Sequence, residues 1–88
     1  MNWNEIRISI INDLNTRKLV NPNIRINALE KLESIMKSNF KEILSDPSLL
    51  KKIDKNVFKE RLAKFKPNGK LNGAESSVIN NIYDKLGL

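Results

Sequence analysis

The chain has 88 residues, 16 basic and 10 acidic, a net charge of +6, and neither histidine nor cysteine. That composition excludes a zinc finger, histidine ligation of haem, a disulfide framework, a Ser-His-Asp triad and a thiol nucleophile. The length fits one domain, residues 1–88, and the 40% apolar share is enough for a modest core.

The first segment, Trp3 to Leu14, places Trp3, Ile6, Ile10 and Leu14 on one helical face. A rival reading is a strand over residues 5–11, because Ile6-Arg7-Ile8-Ser9-Ile10 alternates and β-branched residues favour strands. The helical set is longer than the alternation, so helix is preferred. Asn15 to Asn21 is then expected to be a loop.

The second segment is the clearest helix. Asn21 is a suitable cap and Pro22 a suitable first residue. Leu29, Leu32, Met36, Phe40 and Ile43 or Leu44 continue the apolar face, and the helix is expected to end near Ser45. Glu33 and Lys37 stand in the favourable i, i+4 order.

Asp46-Pro47 restarts the chain as a new cap and first residue. Leu49, Leu50, Ile53 and Val57 carry its apolar side. Asp54 or Asn56 could interrupt it and cap a further helix with Phe58, Leu62 and Phe65, so residues 47–65 are either one helix or two. Lys66-Pro67-Asn68-Gly69-Lys70 predicts a turn. Asn72-Gly73-Ala74-Glu75 is a capping-box variant opening a last helix with Ile79, Ile82 and Leu86 on one face. Gly87 stops it. The fold class expected is all-α, a single small antiparallel bundle of four or five short helices. Its core would draw on Ile6, Ile10, Leu14, Leu29, Leu32, Met36, Phe40, Ile53, Leu62, Ile79, Ile82 and Leu86.

Candidate chemistry is sparse. Glu30, Glu33 and Asp13 are the carboxylates that could approach one another, but charged side chains on a helix usually face solvent. Pro67 to Gly73 hints at a phosphate loop, yet Walker spacing is absent and Glu75 competes for the free N–H groups. Ser9, Ser76 and Ser77 have only lysines as candidate bases. No catalytic residue, metal or cofactor is therefore expected, and the protein is read as a non-enzyme.

The charge is uneven. Residues 51–70 carry Lys51, Lys52, Lys55, Lys59, Arg61, Lys64, Lys66 and Lys70 against Asp54 and Glu60, which equals the whole net charge of +6. If residues 47–65 are one helix, Lys51, Lys55 and Lys59 form a stripe with Lys52 beside it. Such a stripe suits the acidic surface of another protein, anionic lipid or the phosphates of a nucleic acid. Sequence reading of bases is the weaker option, because only Arg61 offers a guanidinium fork. Phe58 and Phe65 fit a core better than a stacking platform. A helix-turn-helix of Val57–Phe65 and Gly73–Leu86 would need a shorter turn than residues 66–72. Against any partner stands the plain reading of a solvated face that keeps the protein soluble. The lysine excess over arginine, 12 to 4, with 13 asparagines, also fits AT-rich coding.

The run Phe58-Lys59-Glu60-Arg61-Leu62, then Gly69-Lys70-Leu71, then Glu75 to Leu86 ending Ile82-Tyr83-Asp84-Lys85-Leu86-Gly87, resembles the small helical immunity proteins that protect bacteria from their own bacteriocins. The likeness covers about half of the chain, and its pattern is shared by many helix pairs. It implies a cytoplasmic, basic antiparallel helical bundle of similar length. Family members often carry a further C-terminal tail implicated in specificity, beyond the position of Leu88.

The function expected is a non-enzymatic binding protein of immunity, inhibitor or accessory type, docking through residues 51–70. The alternative is a nucleic-acid-binding accessory or regulatory protein using the same lysines on phosphates. No apolar run of about 18 residues occurs, so no membrane span is expected. Met1-Asn2-Trp3-Asn4-Glu5 lacks signal-peptide order, so a cytoplasmic location is expected. Trp3, Ile8 and Tyr83 are spare apolar residues that either complete the core or cover a homodimer contact.

Overall fold

The computed structural model describes residues 2–16 and 21–88. Helix α1 spans Trp3–Thr16. The helical period prevails over the β alternation for a visible reason: Ile6 and Ile10 are buried while Ile8 is 49% exposed. A strand would have placed all three on one face. The helix includes Asn15 and Thr16, which the loop reading had excluded. The rest of that predicted loop, residues 17–20, lies outside the described residues.

Helix α2 spans Pro22–Asn39, with Asn21 Oδ1 accepting from the Asn23 N–H at 3.2 Å. It ends earlier than the periodicity suggests. The Asn39 side chain donates to the Ile35 carbonyl at 3.1 Å, a local bond of the kind that loosens a helix end. Phe40 then leaves helical geometry at φ −138°, ψ 47°, and a short α3, Lys41–Ser45, follows. The bend sets the Phe40 ring edge-on to Phe58 and to Phe65, with centroids 5.8 Å apart in each pair.

Asp46 caps the next element as its sequence suggests, but that element is a 3₁₀ helix, Pro47–Lys52. Ile53 is extended (φ −121°, ψ 123°). Asp54 Oδ1 then accepts from the N–H groups of Asn56 at 2.9 Å and Val57 at 3.3 Å, opening α4, Lys55–Ala63. Residues 47–65 are thus two helices.

The turn after α4 uses Gly69 at φ +69°, a region that L side chains rarely adopt. Helix α5, Gly73–Lys85, opens on the full reciprocal capping box of Asn72 and Glu75. At its end Gly87 takes φ +75°, Gly87 N–H donates to Asp84 O, and Leu88 N–H donates to Tyr83 O, both at 3.0 Å. This is a Schellman closure.

Every regular element among the described residues is helical. Helix α5 packs against α1, α2 and α4. One contiguous apolar cluster joins them, with Leu29, Leu32, Met36, Phe58, Leu62, Ile79 and Ile82 fully enclosed. Each such side chain contributes about 1.5–3 kcal/mol of burial free energy. The Cα radius of gyration, 12.3 Å, matches the roughly 12 Å of a compact chain this long. Phe40, Ile53 and Leu86, expected in the core, border it half-buried. Phe65 corrects its expectation outright: it is 48% exposed. It lies in the turn beyond the end of α4, with its ring edge-on to Phe40.

Candidate docking surface

Lys51 and Lys52 end the 3₁₀ helix and are exposed. Lys55 and Lys59 lie one turn apart on α4, half-buried beside the core. Arg61, Lys64 and Lys70 are exposed. The single helix that would have aligned Lys51, Lys55 and Lys59 is broken at Ile53, so the continuous stripe does not form. Lys51 and Lys55 nevertheless border one groove, together with Asp54 and Tyr83. Lys64 projects about 180° away from Lys55 around α4. Lys66 and Lys70 border a second groove at the turn. The basic side chains therefore lie before, on and after α4 rather than along one line.

Lys66 departs from the group. Its Nζ donates to Glu75 Oε2 at 2.6 Å, and the Glu75 side chain is fully enclosed. Glu75 Oε1 also accepts from the Asn72 N–H at 2.9 Å. Burial pushes the Glu75 carboxyl up. The Lys66 hydrogen bond, the Asn72 N–H and the charges of Lys66 and Lys31 outweigh it and hold the group below its ordinary value. Lys66 is thus a structural residue of the turn. The phosphate-loop hint at Pro67 to Gly73 resolves the same way, since Glu75 occupies the helix terminus.

The three carboxylates that might have gathered do not. Glu33 is buried, contrary to a solvated reading. Its Oε2 accepts from Trp3 Nε1 at 2.8 Å, and Arg7 Nε lies 3.2 Å from it. Asp13 pairs with Lys85 of α5. Glu30 is exposed. No group of three or more potential metal ligands converges among the described residues. Of the spare apolar residues, Tyr83 is buried and Trp3 is tied to Glu33, which leaves Ile8 exposed.

Tyr83 lines the first groove. Its hydroxyl donates to the Ile53 carbonyl at 2.8 Å, pinning the extended residue between the 3₁₀ helix and α4. Burial and the Asp54 charge push the phenol up to about 12, against the opposing charge of Arg61.

An electrostatic asymmetry emerges. Asp13, Glu33 and Glu75 neutralise Lys85, Arg7 and Lys66, while Asp46 and Asp54 cap helices. Lys51, Lys52, Lys55, Lys59, Arg61, Lys64 and Lys70 form no ion pair with another described residue. The lysine amines that do find a side-chain acceptor, Lys66 and Lys85, bond carboxylates and not Ser9, Ser76 or Ser77.

The sequence reading missed a further surface. Helix α2 turns Ile24, Asn27, Lys31 and Ser34 outward at helical spacing. Opposite them stands the turn with Phe65 and Pro67, leaving an open groove of about 580 Å³. Spacing alone could have flagged the α2 stripe, but only the position of Phe65 reveals its opposite wall.

Comparison of the chain with protein-family models, curated proteins and solved structures finds no match. No helix among the described residues is long and apolar enough to cross a membrane.

Proposed function

We propose that the protein acts without catalysis, by docking on another macromolecule through the basic side chains of residues 51–70. The preferred partner is a protein with an acidic surface, in an immunity, inhibitor or accessory role in the cytoplasm. The supporting observation is the asymmetry of charge use. Half of the carboxylates serve caps and internal pairs, whereas seven named cations of one segment, like Arg25, Lys31, Lys37 and Lys41 outside it, form no ion pair among the described residues, and the segment gathers the most of them. Uncompensated like charges repel one another and are relieved by an acidic partner, which also raises the encounter rate. The antiparallel-bundle arrangement belongs to this proposal as the rigid body that presents them.

Affinity capture from a host lysate, with wild type and a Lys51→Glu/Lys52→Glu/Lys59→Glu variant side by side, tests the reading. The expected result is a protein retained at low salt by wild type, released as salt rises and absent with the variant. Equal recovery by both would overturn it. A parallel titration with random duplex DNA separates the nucleic-acid alternative: micromolar binding with a log–log salt slope of several units would favour phosphates as the target.

A further inference from the structure

Resting on that docking reading, we infer that the groove between α2 and the turn after α4 is the seat of a short acidic, apolar-anchored peptide segment of a partner protein. The groove at Phe65 is continuous with two smaller ones. Asn27 and Lys31 are shared with a recess at Ile24, and Lys66 and Pro67 with the recess of the turn. Together they follow α2 from Ile24 toward Ile35 and pass the turn to Lys70.

Two features suit such a segment. The first is an anchored apolar wall. Phe65 is 48% exposed, yet its ring is braced edge-on by Phe40 at an interplanar angle of 87°. Ile24, 56% exposed, offers a second apolar contact farther along. A rigid aromatic with one bare side gives contact area at little entropic loss. The second is charge. Lys31 and Lys70 border the channel and Lys64 adjoins Phe65 in the chain, all three outside any ion pair among the described residues, while Glu75 is already neutralised by Lys66. The acid left facing the channel is Glu30. A segment with apolar residues on Phe65 and Ile24 and carboxylates toward Lys31 and Lys70 complements both. A single-stranded nucleic acid fits less well, because it would meet one aromatic rather than a series on which successive bases stack.

The test selects 12-residue peptides from a random display library on the full chain, then maps the best binder by amide chemical-shift perturbation. Expected are peptides combining aromatic or aliphatic residues with Asp or Glu, shifting Ile24, Lys31, Ile35, Phe65 and Leu71. Lys31→Glu/Lys70→Glu, both at exposed positions, should weaken that binding at least tenfold, and Phe65→Ser should do the same. Acidic peptides that map instead to residues 51–59 would overturn this groove while leaving docking through the basic segment intact. Failure to enrich acidic peptides at all would overturn both. An oligo(dT) 15-mer shifting the same groove residues more strongly than the peptides would replace the peptide by a nucleic acid.

Discussion

Lys66 Nζ and Glu75 Oε2 meet at 2.6 Å across the turn that joins α4 to α5. The contact links a lysine of the basic segment to the capping box of the last helix, so the turn and the start of α5 form one unit. Replacing Glu75 with Ala removes the reciprocal cap and unpairs Lys66 together. A loss of about 2 kcal/mol in urea unfolding is expected. Lys66→Met should cost at least as much, because it leaves the enclosed Glu75 carboxylate without its cation, with the Asn72 N–H as its remaining donor.

The pair also sets an acid limb. The folded Glu75 carboxyl titrates below its ordinary value, so the folded state binds its proton less readily than the unfolded chain. That contribution is complete above the unfolded carboxylate range and is lost as pH falls through the folded value. Wild type should lose more stability than Glu75→Gln on moving from neutral pH to below about 4. Thermal midpoints measured across that range check the difference.

An alkaline limb follows from Tyr83. Its hydroxyl is retained in the neutral form up to about 12 in the folded state. The unfolded phenol ionises near 10, so stability falls as pH rises from about 10 toward 12. Tyr83→Phe should remove this fall and lower stability near neutrality by about 1 kcal/mol through loss of the bond to Ile53. Circular dichroism melts at several alkaline pH values would show both effects.

The buried Glu33 makes Trp3 a reporter for the α1–α2 contact. Glu33→Ala leaves the indole N–H and the Arg7 guanidinium without their acceptor, and about 2 kcal/mol of destabilisation is expected. Emission from the chain's one tryptophan should shift to the red as α1 loosens, at a lower urea concentration than in wild type.

Phe58 and Phe65 should separate sharply. Phe58 is fully enclosed, and its replacement by Ala should destabilise by about 3–5 kcal/mol. Phe65→Ser should cost about 1 kcal/mol or less, because its ring is half in water already. Similar losses at both positions would show that Phe65 is a core residue.

Much of this molecule is written in local chemistry. Asn21-Pro22, Asp46-Pro47, Asn72 to Glu75 and Gly87 mark element ends because side-chain oxygens and special φ values act within a few residues. The end of α2 was not legible, since apolar spacing carries on through Phe40 and gives no sign of the bend. The Glu33 and Glu75 pairs were hidden for a different reason. Glu33 lies 30 residues from Trp3 and Glu75 lies nine from Lys66, and only the packing of α1 on α2 and of the turn on α5 brings them together. For the site, composition located the cationic segment, but its split around α4 follows from the extended Ile53, and the exposure of Phe65 from where α4 stops.

Contact through the cations of residues 51–70 makes affinity for the captured partner depend on salt, and a salt series of binding curves measures it. Wild type and Lys51→Glu/Lys52→Glu/Lys59→Glu would be compared at matched folding stability. A steep loss of wild-type affinity with salt, and a variant weakened at least tenfold with a shallower slope, is the predicted result. Superimposable binding curves for the two proteins at every salt concentration would contradict it.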